Sequence, residues 1–487
     1  MKNAFLTYIL IISIGFFIRC SNEKPPRIED EIFAIENSLL PAILVKGSQP
    51  EQFKLEERMD HYKVPGVSIA IVKDGKIHWA KAYGIANTEN GRKVDTNTMF
   101  QAGSISKPLA ALATLKLVEE KSLDLDVDVN EYLQNWKVPE NKFTQDKKVT
   151  LRLLLTHSAG ITVHGFPGYQ QTDTFPSIEE VLNGEGNTPK IYPDTLPGAI
   201  WRYSGGGYTI METVVEDVSG LPLEEYMYQN IFIPFGMEHS TYEQPLPTSF
   251  HDNASAAYDN QGDLIEGLWH NYPEQAAAGL WTTPTDLAIY CIEIQESLAG
   301  TSNKVFSKET IEMMLTKHKN NWGLGPGLSW GGDSLRFQHG GKNAGFTNSM
   351  IAFAYKGAAV IIMTNADNGG DLMNEILNSV SEYYDWGIRK PRVVETVTLS
   401  SDALKKLTGQ YMLDEQVPGI GDYLVEIIAE NNKLVVIDPN NKERDELTPM
   451  NSTRFIDLED GDEVRFKTDS EHIGFVWNNE HTFYKID

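Results

Sequence analysis

The segment 104–117 is apolar on nearly every face, and this constrains the fold more than any other feature of the chain. Leu109, Leu112 and Leu115 recur at helical spacing, and alanines fill many of the remaining positions. Pro108 lies in the first turn, where proline is tolerated because an N–H group there would have no helical partner. A helix without a polar side has to be covered all round. The sequence therefore predicts a large domain with this helix at its centre.

Strand patterns lie at the two ends of the region that contains this helix. A buried strand is predicted at 67–72, and the tight turn Asp74-Gly75 leads into a returning strand at 76–82. After a largely helical and loop-rich stretch, further strands are predicted at 327–330, 350–355 and 358–364, followed by a helix at 372–386. Strands at both ends with helices between them predict an α+β domain whose first and last strands pair.

The C-terminal part of the chain differs in kind from this domain. Residues 388–400 have the composition of a linker. Beyond them, short runs with strand character are separated by turn pairs such as Asn431-Asn432 and Asp460-Gly461. The predicted strands are 423–429, 433–437, 453–458, 463–468 and 473–477. Their spacing predicts a small antiparallel sandwich or barrel at 401–487, after a first domain at 31–387.

The N-terminus predicts an exported protein. Lys2 precedes an apolar run at 4–18, which is shorter than the ~20 residues of a membrane-spanning helix and is typical of a signal peptide. Cys20 follows as in a bacterial lipoprotein signal, which implies lipid attachment at Cys20, a tether at 21–30 and a periplasmic or cell-surface location. An uncleaved membrane anchor is the alternative, because Arg19 stands where a small residue is usual.

The net charge of the chain argues against one class of partner, and its two cysteines have separate predicted roles. The formal net charge is −26, from 68 acidic and 42 basic residues, and such a charge repels phosphate backbones and argues against nucleic acid as a partner. Cys291 is the one cysteine besides Cys20, and its apolar neighbours predict a small core residue. No sequence feature specifies an oligomeric state.

Ser104 and Lys107 are the first pair of residues that could carry chemistry. Positions three apart share one face of a helix, so the hydroxyl and the amine can touch. Ser104 would lie in the first turn, where free backbone N–H groups favour negative charge. Burial favours a neutral Lys107, which can accept the serine proton. The same spacing occurs at Ser21 and Lys24 in the tether, so the pattern is informative only in its context.

That context resembles a known family. Five segments, in order along about residues 50 to 385, resemble the serine beta-lactamase and penicillin-binding-protein superfamily in its class C-like branch. They are an opening strand at 64–71, a nucleophile segment at 98–112, a loop at 153–160, a helix start at 278–287 and a strand motif at 339–341. The resemblance implies acyl transfer to Ser104 and hydrolysis by water, without a metal or an organic cofactor.

Tyr203 enters the site through the same resemblance. It matches the tyrosine of the family's Tyr-x-Asn motif, which relays a proton between the nucleophile and the leaving group. Without the resemblance, a core tyrosine beside a glycine-rich helix start is the simpler interpretation. Gly205 stands where the family carries the asparagine, so the side chain that holds a substrate amide is missing.

His339, Gly340 and Gly341 stand where other members of the family carry Lys-Thr-Gly. The resemblance implies that Gly341 and His339 line the substrate site. It also implies that the backbone N–H group of the next residue, Lys342, lies opposite that of Ser104, so that the two form an oxyanion hole. His339 either tunes the site electrostatically or is a structural histidine.

Three other patterns have simpler interpretations. Ser329 lies in a Gly-x-Ser-x-Gly sequence, but a turn and a strand follow it in place of the helix that a nucleophile elbow requires. Residues 124–128 begin like a calcium loop, but Val129 replaces the glycine that the turn needs. His157 and His164 have no Cys or HExxH-type partner in their loop and are interpreted as structural or cleft-lining.

The sequence thus predicts a serine hydrolase that acts through an acyl-enzyme on small ester or amide substrates, as an esterase or a peptidase. A beta-lactamase or a D-Ala-D-Ala carboxypeptidase-like enzyme is the alternative within the family. A non-catalytic protein that binds cell-wall fragments is the alternative outside it, and the presence of Ser104, Lys107 and Tyr203 together argues against it. The expected partners are a small-molecule or peptide substrate and, through the N-terminal lipid only, a membrane.

Overall fold

The computed structural model describes residues 27–331, 334–415, 421–439, 442, 444–467 and 473–486. Cys20, the predicted signal peptide and the first part of the predicted tether lie outside these residues. Within them, an α+β domain is followed by a β-barrel, which confirms the predicted fold class.

The strands of the first domain are short at its margins and long at its centre. Numbered along the chain, they are β1 (Ile43–Val45), β2 (Gly66–Lys73), β3 (Lys76–Asn87), β4 (Arg92–Lys93), β5 (Phe100–Gln101), β6 (Trp281–Thr282), β7 (Gly327–Gly331), β8 (Ser334–Asn343), β9 (Phe346–Phe353), β10 (Ala359–Thr364) and β11 (Arg392–Val394).

The helices of this domain lie mostly between β5 and β7 in the chain. They are α1 (Ile28–Glu36), α2 (Leu55–His61), α3 (Ser106–Glu119), α4 (Leu151–Leu155), α5 (Ile178–Asn183), α6 (Gly205–Ser219), α7 (Leu223–Met227), α8 (Ile233–Phe235), α9 (Pro284–Ala299), α10 (Lys308–Met314) and α11 (Gly369–Tyr383). In the part of the chain that the structure describes, no helix combines the length and the apolar character that crossing a bilayer requires.

Seven strands form one antiparallel sheet in the order β4-β3-β2-β10-β9-β8-β7. The early strand β2 pairs with the late strand β10, with Ile69 opposite Ile362, which confirms that the two ends of the domain meet. Ile69 and Ile71 pack into the core on the α11 side of the sheet, whereas Ala70 packs into the core on the opposite side. Because both faces are covered, β2 is a continuous apolar run in the sequence.

Helix α3 lies in the core, as the sequence predicts. Its side chains are buried from Ser106 to Leu115, and it packs against α6 and against the helical turn at 275–279. It begins two residues later than predicted, because Gly103–Ile105 form a separate turn of 3₁₀ helix. That turn carries Ser104 on the border between the sheet and the helices.

The C-terminal domain is a closed antiparallel barrel of eight strands, so the barrel is the correct one of the two predicted architectures. Buried aromatic residues fill it, among them Tyr411, Phe455, Phe466 and Phe475. A short helix, α12 (Ser401–Lys405), precedes the strands β12 (Gly409–Leu413), β13 (Leu424–Glu430), β14 (Lys433–Ile437), β15 (Arg444–Pro449), β16 (Arg454–Asp457), β17 (Glu463–Lys467), β18 (Gly474–Trp477) and β19 (His481–Lys485).

The connection between the two domains is more ordered than a linker. Strand β11 lies inside the predicted linker and pairs in parallel with β1, with Val393 opposite Leu44. Arg58 of α2 adds a polar contact, because its guanidinium group bonds Glu375 at 2.8 Å and Glu459 of the barrel at 3.2 Å. The barrel therefore contacts the first domain as well as following it in the chain.

Candidate active site

Ser104 lies on a sharp turn whose first residue, Gly103, is a glycine for two reasons. The preceding residue, Gly103, has a φ of +54°, a backbone conformation that side chains disfavour. A Cβ atom on Gly103 would also lie 2.6 Å from the backbone nitrogen of Lys342. The turn can therefore press directly against strand β8, and Ser104 stands beside the backbone of the motif that begins at His339.

Buried hydrogen bonds fix this turn in place. The Ser106 hydroxyl donates to the Gly103 carbonyl oxygen at 2.6 Å and accepts the backbone N–H of Leu280 at 3.0 Å. The Asn348 side chain on β9 donates to the Gln101 carbonyl oxygen at 2.8 Å. Strands β5 and β6 pair just before the turn. Since these contacts come from three separate segments, the position of Ser104 is set by the tertiary fold.

Lys107 is the partner of Ser104, as the spacing predicts. Its Nζ lies 3.1 Å from Ser104 Oγ and donates to the Ala277 carbonyl oxygen at 2.8 Å. The side chain is buried, and burial lowers the pKa of Lys107 to about 7. A substantial fraction of this amine is therefore neutral near pH 7, where it can accept a proton from the hydroxyl it contacts.

Tyr203 lies on the other side of the lysine amine. Lys107 Nζ lies 4.9 Å from the centre of the Tyr203 ring. Burial raises the pKa of Tyr203, and the nearby Ser104 hydroxyl lowers it by a smaller amount. No hydrogen bond of ordinary geometry joins the two hydroxyl groups. Tyr203 therefore stays protonated near neutral pH, which suits a residue that donates a proton or passes one on.

His339 is neutral and oriented by the strand that carries it. Its Nδ1 lies 2.5 Å from the Gly340 carbonyl oxygen, so Nδ1 carries the proton and Nε2 is the acceptor. Burial and the nearby Lys107 charge lower the pKa of His339 to about 3. The ring therefore does not supply the positive charge that a lysine would bring to this position.

Strand β8 leaves one edge open beside Ser104. Within the described residues, β7 covers this edge only as far as Gln338, which faces Gly327. Asn343 pairs with Phe346 across a two-residue turn, so the N–H of Asn343 points toward β9. Because N–H groups alternate in direction along an antiparallel strand, the N–H of the preceding residue, Lys342, points to the open edge. This N–H of Lys342 and the backbone N–H of Ser104 can together form the oxyanion hole that the sequence predicts.

These residues share one cleft of about 890 Å³. Ser104, Lys107, Tyr203, His339, Gly341 and Lys342, all predicted from the sequence, line it together. The sequence did not predict its aromatic walls, which are Phe166, Trp201 and Trp322. For Trp322 a local indication is the glycine-rich stretch that follows it, which is typical of a loop that approaches another backbone closely.

Gly205 differs from the family pattern for a steric reason. A Cβ atom there would lie 2.8 Å from Cε2 of Phe166 and 3.1 Å from the His164 carbonyl oxygen. The loop that carries Phe166 thus occupies the space that an asparagine at this position would need. In this structure the absence of a side chain at Gly205 and the position of the Phe166 ring therefore go together.

The other sequence patterns take no part in this cleft. Ser329 lies on β7, where its hydroxyl donates to Gln338 Oε1 at 3.1 Å, and Cys291 is buried in α9. No group of three or more His, Cys, Asp or Glu residues within the described ranges is arranged to hold a metal ion. His164 lines the cleft, and His157 lies behind Tyr203 with their ring centres 4.2 Å apart.

The reactivity of Ser104 is expected to follow the protonation of Lys107. Burial lowers the lysine pKa to about 7, so the protonated form predominates below that pH and cannot accept the serine proton. The labelling rate of Ser104 by a fluorophosphonate should rise about tenfold per pH unit up to roughly pH 7 and then level off. Rates measured by mass spectrometry from pH 5 to 9 check this, with Lys107→Arg as the permanently charged control. A flat profile would contradict the role of the amine.

Comparison with known proteins agrees with this geometry. The family model described as Beta-lactamase matches residues 54–379. Teichoic acid D-alanine hydrolase of Staphylococcus aureus is 25% identical over 359 residues, which cover 70% of this chain and 82% of that protein. Among solved structures, the octameric penicillin-binding protein homologue from Pyrococcus abyssi has a TM-score of 0.61 at 23% identity and covers 88% of this chain and 98% of that one.

A second structural relative has the same fold with a smaller overlap. The D-amino acid amidase from Ochrobactrum anthropi SV3 has a TM-score of 0.56 at 19% identity, over 73% of this chain and 99% of that one. The family match covers more than half of the chain and contains Ser104, Lys107, Tyr203 and His339. The chain therefore belongs to the serine beta-lactamase and penicillin-binding-protein family, as a serine hydrolase.

Proposed function

We propose that this protein hydrolyses small esters or amides through an acyl-enzyme on Ser104. The observation that carries the proposal is the 3.1 Å contact between Ser104 Oγ and the amine of Lys107. Burial lowers the pKa of this amine to about 7. Ser104 and Lys107 both line the cleft. The simplest explanation of a buried lysine that contacts a serine hydroxyl there is that the lysine activates the serine as a nucleophile.

The groups around Ser104 support a two-step reaction. Neutral Lys107 takes the serine proton while Oγ attacks the substrate carbonyl, and the backbone N–H groups of Ser104 and Lys342 stabilise the oxyanion. Tyr203 passes the proton to the leaving group, which then departs. Water attacks the resulting ester, and the same groups act in reverse order. The raised pKa of Tyr203 makes Lys107 the initial base in this scheme.

The class of substrate rests on the walls of the cleft and on the relatives. One relative is named for hydrolysis of D-alanine from teichoic acid, and a protein of the same fold is named for action on D-amino acid amides. Both names refer to a D-amino acid group, which is small. The aromatic walls formed by Phe166, Trp201 and Trp322 offer apolar contact to a substrate of that size.

Three positions argue against efficient beta-lactam hydrolysis. Gly340 supplies no hydroxyl, and His339, with a pKa of about 3, supplies no charge for a lactam carboxylate. Gly205 supplies no amide, and Phe166 occupies the space for one. Losing one charge-assisted and one neutral hydrogen bond costs about 2.5–4 kcal/mol. That corresponds to roughly 10²- to 10³-fold in kcat/KM.

Three substitutions test the proposed machinery. Ser104→Ala should lower kcat for p-nitrophenyl butyrate by at least about 10⁴-fold, because removing the nucleophile disables the whole relay. Lys107→Ala and Tyr203→Phe should also cause severe losses. Ser329→Ala is the matched control, since Ser329 lies outside the cleft, and it should change kcat little. An inactive Ser329→Ala with an active Ser104→Ala would overturn the proposal.

A substrate comparison tests the proposed class. Turnover of p-nitrophenyl butyrate should exceed that of nitrocefin by roughly 10²-fold or more on one purified sample, for the hydrogen-bond reasons given above. Ser104→Ala corrects both rates for background hydrolysis. Nitrocefin turnover equal to or above that of the ester would favour the beta-lactamase alternative. The exposed amine of Lys342, which lies 3.9 Å from Asp367 Oδ1, is a group of this strand that could then hold the carboxylate.

We further propose that Cys20 carries a lipid that anchors the exported protein to a bacterial membrane. The lipid attachment is supported by the position of Cys20, which follows the apolar run at 4–18 with one residue, Arg19, between them. Cells fed radiolabelled palmitate should label the full-length protein but not Cys20→Ser. Cys291→Ser, which removes the buried cysteine of α9, is the control and should keep the label. Equal labelling of Cys20→Ser and the unaltered protein would refute the anchor.

A further inference from the structure

His157 contacts the backbone on both sides of Tyr203. The backbone N–H of Arg202 donates to the His157 carbonyl oxygen at 2.8 Å. The backbone N–H of Ser204 donates to Nδ1 of the His157 ring at 3.1 Å. The backbone N–H groups of the two residues next to the tyrosine are thus both bound by His157.

The ring of His157 also sets the surroundings of the phenol. Its centre lies 4.2 Å from the centre of the Tyr203 ring, with an angle of 31° between the planes. The ring of Trp322 stands nearly perpendicular to both rings, with its centre 5.0 Å from the centre of the His157 ring and 6.0 Å from that of Tyr203. Among the described rings around Tyr203, which also include His164 with its centre 4.9 Å away, His157 is the nearest.

The hydrogen bond from Ser204 fixes the state of the imidazole. Because Nδ1 accepts this bond, the proton of the neutral ring has to be on Nε2. Burial and the nearby charge of Lys107 hold the pKa of His157 well below its ordinary value. A neutral ring with one defined tautomer is a rigid acceptor, which suits a residue that orients another.

The backbone at His157 is also unusual. His157 has a φ of +54°, in the left-handed region that non-glycine residues seldom adopt. It directly follows α4 and Thr156, and this bend turns its carbonyl oxygen and its ring toward Arg202–Ser204 together. Tyr203 itself lies just before α6, and its hydroxyl has no hydrogen-bond partner in the described part of the chain. Its orientation therefore has to come from its backbone and its ring contacts.

We propose that His157 is a positioning residue that holds the Tyr203 phenol in line with Ser104 and Lys107. The inference rests on the proposed function, in which Tyr203 passes a proton to the leaving group. A displacement of about 1 Å in such a group can cost about 10²-fold in rate. The effect should fall on kcat and spare KM, because His157 does not line the cleft.

Two variants separate the acceptor from the ring. His157→Gly removes both, and glycine accepts the positive φ without strain. His157→Asn keeps an acceptor two bonds from Cβ, as Nδ1 is, and asparagine also tolerates this conformation. For p-nitrophenyl butyrate, we expect kcat to fall about 10²-fold for His157→Gly and about 3- to 10-fold for His157→Asn, with KM unchanged.

A double-mutant cycle with Tyr203→Phe shows whether the effect acts through the tyrosine. In the Tyr203→Phe background, His157→Gly should lower kcat by no more than about twofold, because no relay remains to be misplaced. The control for His157→Asn is His251→Asn, which should leave kcat unaltered, since the His251 ring bonds the Leu246 carbonyl oxygen outside the cleft. If His157→Gly does not fold, His157→Asn carries the same cycle.

Equal losses with and without Tyr203 would overturn the positioning role, as would full activity of folded His157→Gly. Either result would leave the proposed function intact, because that depends on the single variants of Ser104, Lys107 and Tyr203. Conversely, an active Tyr203→Phe would remove the tyrosine from the reaction itself. The two hypotheses therefore fail on different measurements.

Discussion

The site depends on one amine that is kept out of water. Lys107 is buried in the first turn of α3, where, within the described residues, Nζ donates hydrogen bonds to Ser104 Oγ and to the Ala277 carbonyl oxygen. An ammonium group without a paired carboxylate is costly to bury, so the proton is released near neutral pH instead. The apolar sequence of α3 thus gives the domain its central helix and also places an amine with a lowered pKa beside Ser104.

Elements that are buried on several sides could be predicted from the sequence, and elements with one buried face often could not. Strands β2 and β10 are continuous apolar runs because both faces of the sheet are covered. Strand β15 was not predicted, because Arg444 and Glu446 are exposed and only Leu447 and Pro449 are buried. Its place in the barrel comes from pairing with β14 and β16.

The same division applies to the site. Ser104, Lys107 and Tyr203 could be predicted because motifs carry them, whereas their surroundings come from distant loops. At Gly205 the sequence shows only that an asparagine is missing, and the structure shows that Phe166 occupies its space. The late start of α3 has a similar origin, since Gly103 meets the backbone of Lys342 and no local pattern records that contact.

The pairing of β2 with β10 has a consequence for how the chain acquires its structure. Ile69 and Ile362 are about 290 positions apart, and closing a loop of that length costs about 5 kcal/mol from its logarithmic dependence on length. Such a high contact order slows folding, because the entropy is lost before the contacts form. The central strands can meet only after nearly the whole first domain has been synthesised. Until then, the apolar faces of β2 and α3 lack the partners that cover them in the folded domain, and such surfaces favour aggregation of an incomplete chain.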